Sequence, residues 1–522
     1  MPGRRADKER TIKTPALILL LLASLLSGCA LPSLEGRSVS HALSPEESRA
    51  TALGRALRPE ALRHPGLTGV SPLPDAHDAF ASRVLLSMAA EKTLDVQYYI
   101  WHDDVTGMLL LRALYQAAER GVRVRLLLDD NGTAGLDDDL AALATHPNIE
   151  IRLFNPFVVR QPKWLGYAYD FSRLNRRMHN KAFIADNQAL IAGGRNVGDE
   201  YFGASDGMLF NDLDVLLVGE VVDSASRDFD RYWGSRSAYP VARILSSPPE
   251  DALAGFVARA EALKASPAAA DYQRVIAASQ FVTRLMERSL ELEWVPVEMV
   301  SDDPAKGLDE AEPEGLLIHQ MEAALGAPRD SLLLVSPYFV PTADGTDAFR
   351  ALRRQGVTVK VLTNSLAATD VAAVHAGYQK RRKALLKAGV ELYELRRLSP
   401  SKRNESAGPF GSSGSSLHAK TFAVDGERVF VGSFNFDPRS ANLNTELGFL
   451  IHSEALASRI DAAFETVIPA NAYAVKRDDD GDLYWLEPDQ GGTVRHEREP
   501  ATSVWRRGWV RFVSWLPVEW LL

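Results

Sequence analysis

The 522-residue sequence predicts an α/β protein of two pseudo-symmetric lobes, each a mixed, mostly parallel sheet flanked by helices. The first reason is a motif that occurs twice: His179-Asn180-Lys181 with Asp186, Gly193-Gly194 and Asn196, then His418-Ala419-Lys420 with Asp425, Gly432-Ser433 and Asn435. Both copies read His-x-Lys, four residues, Asp, six residues, Gly-(Gly/Ser)-x-Asn, and their histidines stand 239 residues apart, from 179 to 418. The second is a strand-helix rhythm that precedes each copy in the same order. The third is capacity: a chain of this length, 46% apolar and 24% charged, can bury the core of two ordinary domains.

The first elements belong to export rather than to the fold. Arg4, Arg5, Lys8, Arg10 and Lys13 precede an apolar segment from Ala16 to Leu26, too short to span a bilayer comfortably but suited to a signal-peptide core. Leu26-Ser27-Gly28-Cys29 resembles a bacterial lipobox, so residues 1–28 are expected to be removed and Cys29, the only cysteine, to carry lipid. The expected location is the cell envelope of a bacterium, lipid-anchored and periplasm-facing. Ala30 after the cysteine gives no Asp-type retention signal, which leaves inner and outer membrane open. Residues 29–70, with scattered Pro, Gly, Ser and Arg, read as a tether.

Lobe 1 is expected over residues 71–240. An amphipathic helix from Ala79 to Glu91 leads to a strand from Thr93 to Trp101, a helix around Met108 to Arg120 and a strand from Val122 to Asp129. Residues 241–290, rich in Ala, Glu and Arg, read as helical connections. Lobe 2, over 291–470, repeats the rhythm with a helix at Leu316–Leu325, a strand at Ser331–Val340, a helix at Thr346–Arg354 and a strand at Val357–Thr363. Gly121-Val-Arg-Val-Arg echoes Gly356-Val-Thr-Val-Lys, and right-handed βαβ units imply a largely parallel sheet in each half. Gly408, Gly411, Gly414 and five serines directly before the second motif favour a mobile loop beside the site. The matching stretch before the first motif carries Lys163, Trp164, Tyr167, Tyr169 and Phe171, as aromatic anchors of a solvated loop or as substrate contacts.

Two-residue spacing puts His179 and Lys181 on one face of a strand, and likewise His418 and Lys420. Phe183 and Phe422 continue that face into apolar surroundings, while Asp186-Asn187 and Asp425-Gly426 have the chemistry of tight hairpin turns. Asp186 and Asp425, though part of the catalytic motifs, therefore read as turn and hydrogen-bond residues. The returning strands end in Gly-Gly or Gly-Ser, where backbone can approach a phosphate, and Asn196 and Asn435 can donate to its oxygens. Displacing an alcohol from a phosphodiester needs a nucleophile, an acid for the leaving oxygen and positive charge around the non-bridging oxygens. Two His-x-Lys copies supply all three. No H-E-x-x-H helix, Cys/His cluster or carboxylate cage calls for a cation, so no metal or other cofactor is expected.

These residues resemble the phospholipase D superfamily with both HKD motifs intact, over roughly residues 75 to 470. The resemblance implies a bilobal unit with both histidines at the interface, His179 as nucleophile and His418 as acid/base, the reverse remaining open by symmetry. Asp212 and Glu446 resemble the family's His-orienting acids, lying 33 residues (179 to 212) and 28 residues (418 to 446) beyond the histidine of their own half; Asp214 competes with Asp212. Gly194-Arg-Asn-Val-Gly-Asp-Glu-Tyr-Phe202, Ser336-Pro-Tyr-Phe339 and Gly432-Ser-Phe-Asn-Phe-Asp-Pro-Arg-Ser440 look like the cardiolipin synthase C type within it, enzymes that move a phosphatidyl group onto phosphatidylglycerol.

The tail, residues 471–522, points to lipid independently. Four of nine tryptophans, Trp505, Trp509, Trp515 and Trp520, fall in the last 18 residues with Arg506, Arg507 and Arg511, which suits a bilayer interface or a tail docked on the protein's own core. The expected partners are phospholipid substrates and a membrane surface. A net charge of −9 disfavours a broad grip on nucleic acid. The leading expectation is a phosphatidyltransferase forming cardiolipin through a phosphohistidine. Its rivals are a phospholipase D that uses water as acceptor, a secreted nuclease and a non-catalytic membrane-binding scaffold, the last leaving both motifs without purpose.

Overall fold

A computed structural model describes residues 31–204, 209–279, 281, 283, 284, 287, 289–397, 415–489 and 492–522. The expected signal segment, Cys29 and most of the Gly/Ser-rich stretch before the second motif lie outside the described residues.

Each half builds one sheet. The first runs, edge to edge, through Glu293–Val295, Thr68–Leu73, Asp214–Gly219, Ala189–Gly193, Ala182–Ala185, Thr93–Ile100, Arg123–Gly132, Ile149–Phe154 and Ala238–Pro240. The second repeats that order through Val297–Ser301, Leu447–His452, Arg428–Gly432, Thr421–Val424, Ser331–Val335, Thr358–Asn364, Glu391–Leu395 and Ala472–Arg477, then adds Leu483–Asp489 and Gly492–His496. Both sheets are mixed and flanked by helices. The expected weighting toward parallel pairing is corrected, however: only Thr93–Ile100, Arg123–Gly132 and Ile149–Phe154, with their counterparts in the second half, pair in parallel. Helical crossovers produce those neighbours. From each motif onward the chain turns back on itself, first through a tight hairpin at Asp186 or Asp425 and then through a longer return, and each of these pairings is antiparallel.

The strands behind the motifs are buried on both faces. Ala182 and Ile184 point into a central core to which the second half contributes Val335, Ala423, Val431 and Phe449, whereas Phe183 points the other way, into a core private to the first half. Phe422 occupies the equivalent private core of the second half. The two sheets thus share a central core and face one another across it.

Three segments pack more tightly than their composition implied. The expected tether forms helices Pro45–Arg49 and Ala52–Ala61, started by a Ser44/Glu47 capping box and a Thr51 cap. Arg37 donates to the carbonyls of Gly234, Ser235 and Ala238, and Trp233 Nε1 donates to Ser40. Its arginine and serine are therefore anchors on the first half rather than marks of a free linker. In the connection, helices Ala252–Lys264 and Pro267–Ala277 place Phe256, Ala260 and Tyr272 in the first half's private core. In the tail, the Val504–Trp515 helix ends two residues before Pro517, buries Val510 and Val513 against Leu366 and Ala376, and leaves Trp505, Trp509, Phe512 and Trp515 exposed. The tail is therefore docked on the protein's own core along one face of the helix, and its other face is exposed and aromatic. Among the described residues no helix is long and apolar enough to cross a membrane.

Candidate active site

The His-x-Lys residues stand just ahead of their strands rather than on them, since the ladders begin at Ala182 and Thr421. The sequence pattern missed this because the preceding backbone pairs with the opposite half. Ser415–Leu417 runs parallel to Leu209–Asn211. In the other direction Met178 bridges Thr445, whose carbonyl accepts from His179 N at 2.8 Å. Each histidine is therefore delivered to the segment that carries the other half's acid.

The consequence is a crossed pair of dyads. His179 Nδ1 lies 2.8 Å from Glu446 Oε2, and His418 Nδ1 lies 2.6 Å from Asp212 Oδ2. The sequence spacings measure each acid from the histidine of its own half, but in the structure each carboxylate meets the histidine of the opposite half. Asp214 is excluded as an orienting acid by its own ion pair, 2.7 Å from buried Arg83. Lys181 and Lys420 each donate to the carbonyl of the histidine two residues earlier, and Lys420 Nζ also lies 3.1 Å from His418 Nδ1. All six side chains are buried.

Burial, reinforced by Lys181 and Lys420, holds His179 well below the usual imidazole range. Burial and Lys420 also lower His418, but Asp212 pulls against them. The acids divide the same way. Burial pushes Glu446 up to about 7, against the pull of Lys181 and the Ser433 hydroxyl. Burial opposes ionisation of Asp212 too, yet His418 and Lys420 hold it down at about 2. Burial brings Lys420 to about 8 and Lys181 well below its ordinary value, against the pull of Asp212 and Glu446 on both.

One difference between the halves lies beneath the acids. Ser433 Oγ donates to Glu446 Oε2 at 2.5 Å, sharing that oxygen with His179. At the matching position Gly194 has no side chain, and a Cβ there would run into the Asp212 carboxylate. Above the imidazoles, the Tyr99 ring meets His179 edge-on at 4.9 Å between centroids and Tyr201 meets His418 at 5.2 Å.

The remaining expected residues fall into place around this centre. Asp186 accepts from Glu91 N, Lys92 N and Thr93 N, and Asp425 from Arg329 N, Asp330 N and Ser331 N. Each sits at positive φ in its turn, ~16 Å along the strand from its lysine. They are not at the reacting centre; their inclusion with the catalytic groups is corrected to a role in closing the hairpin. Asn196 is engaged within its own half, accepting from Ile100 N and donating to the Tyr201 hydroxyl, while Asn435 Oδ1 is buried without a partner among the described residues.

Sequence reasoning missed the two tyrosines and a matched pair of clamps. Asp129 Oδ2 accepts from Met178 N at 2.8 Å, and Asn364 Oδ1 accepts from Leu417 N at 2.9 Å, so each holds the residue before a histidine. Both stand in the last part of a parallel strand, where α/β sheets place ligand residues, and that was the available signal. His102, Asp104 and Glu200 bring ligand atoms within 4.8 Å of one another, but the Asp104 carboxylate already caps Gly107 N and Asp199 N. That cluster is a helix start.

Residues 85–233 and 319–468 each match the model of the cardiolipin synthase, phospholipase D-like domain. Cardiolipin synthase C of Escherichia coli K12 is 48% identical over 90% of this chain and 99% of its own length. Cardiolipin synthase A of Pseudomonas entomophila is 27% identical over 82% of this chain and 74% of its own length. Among solved structures, phosphatidylserine synthase of Haemophilus influenzae superposes with a TM-score of 0.57 at 14% identity, covering 89% of this chain and 99% of that one, a likeness of fold. With a domain matched twice across more than half of its length and crossed histidine dyads where those two copies meet, the chain belongs to the phospholipase D-like cardiolipin synthase family.

Proposed function

We propose that this protein is a phosphatidyltransferase that forms cardiolipin from two phospholipids through a covalent phosphatidyl-histidine. The observation that carries the reading is the crossed pair of dyads, two buried imidazoles with Nδ1 on a carboxylate and two lysines beside them. With Nδ1–H on Glu446, His179 keeps a lone pair at Nε2. That lone pair attacks phosphorus as the bond to the leaving alcohol breaks, and His418 Nε2–H protonates the departing oxygen. The acceptor hydroxyl then gives its proton to His418, its oxygen bonds to phosphorus, and the phosphorus–nitrogen bond breaks to free His179. Lys181 and Lys420 hold the non-bridging oxygens in both steps, with the Asn435 amide as a further donor. The unequal environments support this assignment: His179 is the more strongly held neutral, and ionised Asp212 favours protonated His418.

The phospholipid substrate is supported by the similarity to cardiolipin synthase C and by two exposed aromatic elements at one rim. Arg439, in the second motif's loop, donates to the Leu521 carbonyl of the tail and to Asn175, at the end of the segment that exposes Trp164 and Phe171. The tail's exposed tryptophans and this segment thus flank the same loop. Arg506 and Arg507 donate to the carbonyls of Thr369 and Thr502 rather than to a carboxylate, which leaves their charge to suit an anionic lipid face. Lipid attachment at Cys29 on the periplasmic side completes the reading.

Detergent-solubilised protein incubated with phosphatidylglycerol, with and without phosphatidylethanolamine, should yield cardiolipin by mass spectrometry. Phosphatidic acid as the sole product would replace transfer with hydrolysis. His418→Ala should trap phosphatidate on His179 from a donor with a nitrophenol leaving group, which needs no proton; His179→Ala should trap none. Trapping on His418 instead would reverse the roles.

A further inference from the structure

The loop that follows Asn364 brings one carboxylate to the mouth of the site that the chemistry above does not use. Asn364 clamps Leu417 through both its amide groups, at 2.9 and 3.0 Å, so this loop starts beside His418. Leu366, Ala367 and Ala368 are buried, and the tail helix rests on them: Val510 and Val513 pack on Leu366, and Arg506 donates to the Thr369 carbonyl at 2.9 Å. Asp370, next along the loop, is exposed. Both of its oxygens lie 2.8 Å from the Tyr338 hydroxyl. Its charge acts on Lys420 and on Tyr201, the second of which covers His418, and the strand end that leads to Tyr338 pairs Val335 with Thr421, next to Lys420.

A carboxylate at the mouth of a site for anionic phosphodiesters opposes substrate entry unless it holds something that donates to it. Resting on the transferase reading, we infer that Asp370 and Tyr338 form a subsite for the acceptor alcohol, taking the second hydroxyl of a vicinal diol while the first attacks phosphorus. The position fits, because the attacking hydroxyl must reach His418, and Asp370 stands on the His418 side. The chemistry fits as well. One tyrosine proton leaves spare lone pairs on both the carboxylate and the phenol oxygen, which are acceptors for a hydroxyl. The neighbouring Lys420 disfavours an ammonium head group in the same place.

The test is a competition between two alcohols. Wild-type protein in mixed micelles of phosphatidylglycerol is given deuterated glycerol and methanol together, and mass spectrometry counts deuterated phosphatidylglycerol against phosphatidylmethanol. Methanol has no second hydroxyl to place. Asp370→Ala should lower the glycerol-to-methanol product ratio about tenfold and raise the KM for glycerol, Tyr338→Phe should move the ratio the same way by less, and Asp370→Glu should restore part of it. A ratio unchanged in both variants overturns the subsite. So does an equal fall in both products, which is what a merely structural role would give. Wild-type protein that makes phosphatidic acid alone overturns the transferase reading itself, a different result from an active enzyme with an unaltered ratio.

Discussion

His179 and His418 sit in matching frames, each with Nδ1 on a carboxylate from the opposite half, yet the carboxylates differ by one methylene and the residue beneath them by one side chain. Glu446 is long enough to reach His179 and still accept from Ser433; Asp212 is short, and Gly194 leaves it the room it occupies. The same burial then has opposite outcomes. Glu446 is pushed up to about 7, whereas Asp212 stays at about 2 because His418 and Lys420 lie against it. Duplication builds two equivalent histidines, and small divergence around them gives the two unequal surroundings, the inequality on which the proposed division into nucleophile and acid rests. An enzyme with two identical half-sites would have to divide the roles by the substrate's orientation alone.

The largest expected effect breaks one dyad and leaves the other. Asp212→Asn removes the charge that stabilises protonated His418, and turnover should fall ~10²–10⁴-fold. Glu446→Gln keeps an acceptor for His179 Nδ1–H and should cost ~10–10²-fold; equal losses measured at one pH would erase the distinction between the halves. Stability separates them by sign. Asp212 is depressed in the folded state, so its contribution is complete above the unfolded value of roughly 4 and is lost as pH falls through about 2. Glu446 is raised, so its contribution is complete below that range and is lost as pH rises through about 7. Between pH 5 and 7.5 the wild-type Tm should therefore fall by ~2–4 °C more than that of Glu446→Gln. A wild-type Tm that rises relative to the variant over this interval would contradict the sign.

Exchanging the residues beneath the acids is the next sharpest test. Gly194→Ser places a Cβ against the Asp212 carboxylate, which must move and take His418 with it. Overpacking of this kind costs ~1–3 kcal/mol, with a loss of activity beyond what stability explains. Ser433→Gly removes one hydrogen bond to Glu446 and should cost ~1–2 kcal/mol while leaving the dyad in place. Denaturant unfolding and kcat on both proteins measure the difference, and a well-tolerated Gly194→Ser would mean the short acid does not need the vacant position.

Much of this comparison was legible in the sequence, because a site built twice announces its members. The histidines, lysines and hairpin aspartates follow from the repeat, whereas the orienting acids come from the family resemblance, with Asp214 as a rival to Asp212. What the repeat cannot express is contact between its copies. The spacings of Asp212 and Glu446 are counted from the histidine of their own half, since spacing along one chain says nothing about which half faces which. His179 and His418 were placed on strands for the same reason: their local pattern is extended, and only the pairing of Met178 with Thr445 and Leu417 with Asn211 takes them off the ladder. The parallel share of each sheet was overstated because the βαβ rhythm was counted and the hairpins at Asp186 and Asp425, already recognised, were not. Composition alone reads residues 29–70 as a tether because it cannot show that Arg37 and Ser40 have partners in Gly234 and Trp233.

The smallest expected effect concerns the aspartates that name the motif. Asp186 is fully buried and accepts three backbone N–H groups at 2.8 to 2.9 Å, one of them on buried Thr93. Asp425 accepts the equivalent three at 2.8 to 3.1 Å from exposed or half-buried residues and also pairs with Arg428 at 2.8 Å. Alanine at either site strands those donors and must adopt positive φ, but water can reach the donors around Asp425. Asp186→Ala should therefore cost ~3–4 kcal/mol and Asp425→Ala ~1–2 kcal/mol, read from the unfolding midpoint. Because neither carboxylate reaches the histidines, kcat per folded molecule should stay within about twofold for both, in contrast to the orienting acids. A large fall in kcat with an unshifted midpoint would return these aspartates to the chemistry.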